Sequence, residues 1–248
     1  MAQVRLSQGP RLTRLVESAV GVHPGDMSSE SVERGAGRQP WVVGVSGASG
    51  TPYAVAAIGG LLDAGEGVDL VVSRAARLTI LDETGISFRD AHWREDLAAL
   101  LDWKGSDPRL DAVRYWNVGD FAAGPSSGSY PARGMLVVPA TAAAVAGISI
   151  GLSKDLLQRA ASVNLKERRP LVLVVREAPL SSSTLEQLLE LSRAGAVILP
   201  ASPGFYAGGQ SVQRLVDFVA GKALDALGVP HSLLHRWSGQ VGEMREAP

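Results

Sequence analysis

The stretch Trp41–Tyr53, WVVGVSGASGTPY, sets the frame for the whole chain. Trp41-Val42-Val43 is a short apolar run rich in β-branched residues, so it reads as a buried strand. The spacing predicts that the strand stops at Gly44, the first of three evenly spaced glycines with Gly47 and Gly50. Thr51 and Pro52 then open an alanine-rich run, Thr51 suited to an N-cap and Pro52 to the first helical turn. A strand, a glycine turn and a helix N-terminus together make an anion site, because backbone N–H groups point outward and small residues let a phosphate approach. Ser46 and Ser49 are expected to add hydroxyl donors. A glycine-rich turn that merely packs tightly has the same pattern.

The spacing is G-x-x-G-x-x-G, not the G-x-G-x-x-G of a dinucleotide fold. A dinucleotide site also needs an acid at the carboxyl end of the second strand to hold a ribose. In the second expected strand, Val68–Val72, the only acid is Asp69, at the wrong end, and Ser73 takes the exit. A mononucleotide therefore fits better than NAD.

The 248 residues, 46% hydrophobic, suffice for one α/β domain with a sizeable core. The formal net charge of −1 implies no global pull toward nucleic acid or membrane. The absence of cysteine excludes disulfides, a thiol nucleophile and thiolate metal sites, and the four histidines make no convincing metal pair. No apolar run reaches membrane-spanning length. We expect a cytoplasmic protein without a metal.

Residues 1–39 read as a disordered or loosely docked extension, residues 40–238 as the folded domain and 239–248 as a tail. From Trp41 onward strands and helices alternate. Helix 52–63, strand 68–72 and a helix bearing Arg74, Arg77, Asp82 and Glu83 come first, then a peripheral segment 85–110 and a short strand 112–115. FAAGPSSGSY, Phe121–Tyr130, is a loop by composition and has no evident role inside the fold. Strand 135–138, helix 156–165, strand 171–175, helix 185–193, strand 196–199 and helix 212–227 complete the pattern. Repeated βα units predict a Rossmann-like (flavodoxin-like), mostly parallel sheet with helices on both faces. Ligands of such sheets gather at the carboxyl ends of the strands. Those exits carry Gly47, Ala48 and Ser49; Ser73; Thr141; Arg176 with Glu177; and the PASPGFY loop with Tyr206. Arg176, directly after an apolar strand, is the strongest single anion-binding candidate, with a structural pair to Glu177 or to the run Lys166-Glu167-Arg168-Arg169 as its alternative.

GASG at Gly47–Gly50, SRAA at Ser73–Ala76, LKERRPLVLVVREAPLSS from Leu165 and GAVILPASPGFY at Gly195–Tyr206 resemble the UbiX flavin prenyltransferase family, over about residues 40–238. The resemblance implies a dodecameric flavoprotein that joins a dimethylallyl group from dimethylallyl phosphate to reduced FMN, at N5 and C6. Prenylated FMN for UbiD-type decarboxylases is the implied product, and no metal is needed. It implies FMN contacts from Gly47, Ala48, Ser49, Ser73, Thr141, Ala142, Ala143, Ala144 and Arg176; the strand–glycine–helix pattern itself predicts the FMN phosphate near the GASG turn. Dimethylallyl phosphate is implied to meet Lys166, Arg176, Tyr206 and Lys222, with Arg159 near the same phosphate. Ser126, Ser127 and Gly128 are implied to reach a neighbouring subunit's site. Glu83 matches the family's proton-transfer acid, and Trp237 and Phe121 match aromatic positions. Two stretches depart from the family: Pro139-Ala140-Thr141 stands where Pro-Cys-Ser is usual, with Ala144 lacking a common hydroxyl, and Phe121 stands where Trp is frequent, which keeps an aromatic face. The competing readings are a flavin-dependent cysteine decarboxylase of the same superfamily and an FMN-binding protein without catalysis.

Overall fold

The computed structural model describes residues 39–204, 211–234 and 236. The expected N-terminal extension and C-terminal tail lie outside the described residues, apart from Gln39. Six strands form one sheet: β1 Trp41–Val45, β2 Val68–Val72, β3 Val113–Trp116, β4 Gly134–Ala140, β5 Leu171–Val175 and β6 Val197–Pro200. Every pairing is parallel and the order is β3-β2-β1-β4-β5-β6, that of the Rossmann sheet. The order reverses between β1 and β4, so the crevice for a ligand opens where those two strands end.

Seven α-helices are described: α1 Thr51–Asp63, α2 Arg74–Thr84, α3 Trp93–Leu100, α4 Ala142–Ser149, α5 Leu156–Lys166, α6 Ser182–Arg193 and α7 Val212–Leu227. β1, β2, β4 and β5 are buried along their whole length, because crossovers cover both faces of a parallel sheet. One core joins the sheet to α1, α2, α3 and α7. The other joins its opposite face to α4, α5 and α6. No helix among the described residues is long and apolar enough to cross a membrane.

Two local expectations are corrected. β1 does not stop at Gly44 but continues to Val45, and Gly44 is a packing residue. A Cβ there would stand 2.9 Å from the side chain of Leu157 on α5. The N-cap of α1 is Gly50, not Thr51, at φ 125°, and no side chain of its own segment caps it. That positive φ strains any residue with a Cβ, so the turn demands glycine and pushes Thr51 into the helix.

Candidate active site

The carboxyl ends of β1, β2 and β4 enclose a cavity of about 530 Å³, lined by Ser46, Gly47, Ser73, Thr141, Ala143 and Ala144 together with the start of α5. This lies within the usual range for cofactor pockets, about 300–1,000 Å³. Two helices point their N-termini at it, and each is capped in the usual way. The Ser73 hydroxyl accepts from Ala76 N at 3.1 Å and the Thr141 hydroxyl from Ala144 N at 3.0 Å. Neither helix has an acid in its first turn, so both ends stay positive.

Ser46 joins the two sides of the crevice. Its buried hydroxyl donates to Pro139 O at 2.7 Å and accepts from Thr141 N at 2.8 Å. The expectation that Ser46 donates to a ligand is therefore corrected, because its proton is committed to the scaffold. Gly47 must be small: a Cβ would lie 2.5 Å from Ala75 Cβ and 2.9 Å from the Ala75 carbonyl carbon. The tight-packing and the ligand readings of this glycine are compatible.

Glu83, near the end of α2, reaches back to the start of α1. Its carboxylate accepts from Gly50 N at 2.9 Å and from Thr51 N at 2.7 Å. It thus fills the anion position that the strand–glycine–helix pattern creates. Burial pushes its pKa up, but hydrogen bonds from the Ser49 and Thr51 side chains and from the Thr51 and Gly50 N–H groups outweigh that and hold it below the ordinary carboxylate value. Among the described residues the N–H groups of Gly47, Ala48 and Ser49 have no hydrogen-bond partner. Those donors fit the edge of a flavin. The α1 donors, being taken by a carboxylate, do not fit its phosphate.

Arg176 also arrives at this turn. Its Nε donates to Ser49 O at 2.9 Å and the residue is half-buried. The alternative pairing with Glu177 does not form: Glu177 accepts from Ala178 N. Glu83, Ser49 and Arg176 therefore stand together; none of the three, nor Ala48, lines the cavity, which this turn borders through Gly47. Ala142 follows Thr141 but does not line the cavity, and Phe121 is exposed on the loop beyond it.

The other expected residues lie elsewhere. Lys166 ends α5, about 13 Å along the helix from Leu157, which lines the cavity. It pairs there with Glu167. Arg159 Nε donates to Ser126 O at 2.9 Å, and an Arg169 NH2 group donates to Gly128 O at 2.8 Å. Ser127 hydrogen-bonds Ser129, and a Cβ on Gly128 would meet Lys166 Nζ at 2.5 Å. The loop 121–130 thus has a place inside the fold, contrary to expectation, as a flap laid along α5. Its far end is fixed by Tyr130, whose hydroxyl donates to Asp69 Oδ2 at 2.7 Å while Trp116 Nε1 donates to Oδ1 at 2.9 Å. Periodicity could not disclose this, since it rests on a buried acid in β2 meeting a loop 61 residues away. Lys222 is on α7, across the sheet from α5, where its ammonium is 3.7 Å from Asp225. Tyr206 and Trp237 lie outside the described residues.

The chain is similar to several characterised proteins. A family model described as Flavoprotein matches residues 29–224. The flavin prenyltransferase UbiX of Streptomyces coelicolor is 64% identical over 213 residues, covering 83% of this chain and 98% of that protein. The flavin prenyltransferase UbiX of Pseudomonas aeruginosa is 41% identical over 196 residues, covering 79% and 92%. Among solved structures, AnUbiX in complex with FMN and dimethylallyl pyrophosphate superposes with a TM-score of 0.70 at 36% identity, covering 82% of this chain and 99% of that one. A dodecameric FMN-dependent UbiX-like decarboxylase from Escherichia coli gives a TM-score of 0.70 at 38% identity, covering 82% and 100%. An FMN-dependent cysteine decarboxylase from thioviridamide biosynthesis shares the fold alone, at 15% identity and a TM-score of 0.50.

Proposed function

This chain belongs to the UbiX flavin prenyltransferase family of flavoproteins, and we propose from that premise how its residues divide the work of joining a dimethylallyl group to reduced FMN. Reduced FMN, when bound, supplies the nucleophilic N5 and C6 positions. The observation that carries the proposal is the Glu83 carboxylate held by Gly50 N and Thr51 N, next to Ser49 and Arg176. A base that removes a ring proton must lie beside the ring, and an anion there repels a phosphate. The ring therefore sits at the Gly47–Ser49 turn, and the FMN phosphate sits at the N-termini of α2 and α4 rather than at GASG.

Arg176 faces the donor phosphate from the ring side. Breaking the allyl–oxygen bond leaves negative charge on the phosphate and positive charge on the allyl group. Arg176, Lys166, Tyr206 and Lys222, with Arg159 behind them, stabilise the first. Phe121 and Trp237 offer aromatic faces to the second. Closing the ring at C6 needs a proton on the alkene carbon beside the new bond and releases one from C6; the departed phosphate, having taken the N5 proton, can supply the first, and the ionised Glu83 would take the second. Gly47, Ala48, Ser49, Ser73 and Thr141–Ala144 hold the flavin.

Lys166, Arg159 and the Ser126–Gly128 loop lie along α5 rather than at the cavity, which favours their serving the site of a second copy. The exposed Leu78 and Leu81 on α2, and Leu185, Leu189 and Val197 on α6 and β6, offer apolar surface for such contacts. A homo-oligomer, most simply a dodecamer, follows. The recipient of the prenylated FMN is a UbiD-type decarboxylase, and the need for reduced flavin suits a cytoplasmic setting. The flavin-dependent cysteine decarboxylase reading needs a catalytic histidine, and no histidine among the described residues lines the cavity. The test is anaerobic incubation with reduced FMN and either dimethylallyl phosphate or its pyrophosphate, followed by the flavin mass. A flavin of unchanged mass with both donors overturns the assignment.

A further inference from the structure

Two cations whose side chains have no partner among the described residues line the cavity. Arg74 is the first residue of α2, immediately after the Ser73 cap, and Lys154 immediately precedes Asp155, the cap of α5. Both line the cavity and both are exposed. Lys154 uses its backbone N–H, which donates to Gln158 Oε1 at 3.2 Å, and this fixes its place in the chain. Neither side chain has a hydrogen bond or ion pair among the described residues. Most of the described arginines are engaged: Arg77, Arg89, Arg94, Arg109 and Arg133 pair with a carboxylate, and Arg159, Arg169 and Arg176 donate to backbone carbonyls, whereas Arg168, away from the cavity, shares the lack of a side-chain partner.

The two residues enter from different elements, Arg74 beside Ser73 and Lys154 beside Asp155 at the start of α5. The N-termini of α2 and α4 border the same cavity. Set against them is one acid lining the cavity, Asp155, whose carboxylate accepts from Gln158 N at 2.9 Å. The wall is thus left net positive in the region that the Glu83 argument leaves for the phosphate. A phosphate monoester carries close to two negative charges at neutral pH, and a guanidinium and an ammonium on separate elements can meet it from two sides.

We propose that Arg74 and Lys154 form a two-cation clamp on the FMN phosphate, which selects the phosphorylated flavin over riboflavin. The proposal rests on the flavin-binding reading above and adds to it the two residues that discriminate the cofactor's charged end. Ring binding and phosphate binding are then separate: the turn Gly47–Ser49 sees the ring in both flavins, and the clamp sees only FMN.

The experiment titrates the full-length apoprotein with FMN and, separately, with riboflavin, by quenching of flavin fluorescence, at low and high salt. The variants are Arg74→Ala, Lys154→Ala, the double variant, and the charge-keeping Arg74→Lys. We expect each alanine variant to weaken FMN about ten-fold and the double variant about a hundred-fold, as for loss of a charged hydrogen bond. Riboflavin affinity should be unchanged in all four, and Arg74→Lys should restore most of the FMN affinity. Salt should weaken FMN binding in the wild type and much less in the double variant, because the screened charges are gone. Equal weakening of both flavins, which would indicate misfolding or a packing role, overturns the clamp, as does an unchanged FMN affinity. A wild type that binds neither flavin overturns the flavoprotein reading itself, a result distinct from the other two.

Discussion

The cavity at the ends of β1, β2 and β4 and the flap along α5 are both loop regions rich in Gly and Ser, yet they are built in opposite ways. At the cavity, polar groups are left over: the Gly47 N–H and the Arg74 and Lys154 side chains, with the N–H groups of Ala48 and Ser49 on the adjoining turn. On the flap they are engaged within the chain: Arg159 on Ser126 O, Arg169 on Gly128 O, Lys166 on Glu167, Tyr130 on Asp69. Unused donors mark where a ligand completes the structure. The flap is fastened by its own chain, and the proposal that its residues serve the same reaction makes it the part offered to another copy.

The largest effect expected on this contrast is at the cavity. Glu83→Gln should lower the rate of prenylated FMN formation by about 10²–10⁴-fold, the usual cost of losing a general base, with FMN affinity unchanged. The same residue has a pH signature. Its folded pKa is below the unfolded value, so its stabilising cap on α1 is present above the unfolded pKa and is lost as pH falls through the folded one. Acid titration of stability should show the wild type and Glu83→Gln converging below the ordinary carboxylate range. A gap that stays constant through acid pH argues that the cap adds nothing.

The flap gives the next effect. Lys166→Ala alone should also be inactive, but a mixed assembly of Lys166→Ala and Glu83→Gln subunits should recover roughly a quarter of wild-type activity, since random pairing leaves that share of sites with both groups intact. No recovery in mixed oligomers places both groups in one subunit's site.

Glycine replacements sharpen the same comparison on stability. Gly47→Ala drives a Cβ into the Ala75 backbone, which cannot swing away, and should cost about 1–3 kcal/mol by thermal unfolding and impair flavin binding. Tyr130→Phe removes one of two donors on buried Asp69. It should cost about 1–2 kcal/mol, with denaturant unfolding as the measure. Gly128→Ala meets only the ends of Glu167 and Lys166 at 2.2 and 2.5 Å, and these rotate. Its stability change should stay within about 0.5 kcal/mol, as for surface substitutions, while Lys166 moves and donor use falls. A larger loss of stability for Gly128→Ala than for Gly47→Ala reverses the assignment of rigid and presented regions.

The sequence by itself determined the layered α/β fold, the strand-exit residues and the family, because these depend on local period and on short contiguous blocks. Strands β2 and β5 and helix α7 fall at their expected bounds, since each is a strongly periodic run with clear stops. What only the tertiary structure decided is which groups remain free. Gly50 is a cap because the turn needs φ 125°, and Glu83 fills the α1 anion position from 32 residues away. Ser46 is bound into the scaffold by Pro139 and Thr141, 93 and 95 residues on. Lys166 shares a motif with Arg176 but ends a helix that runs away from the cavity. A side chain's type and spacing set what it can bind; whether its donors are already spent depends on partners far along the chain, and only the folded packing brings those together.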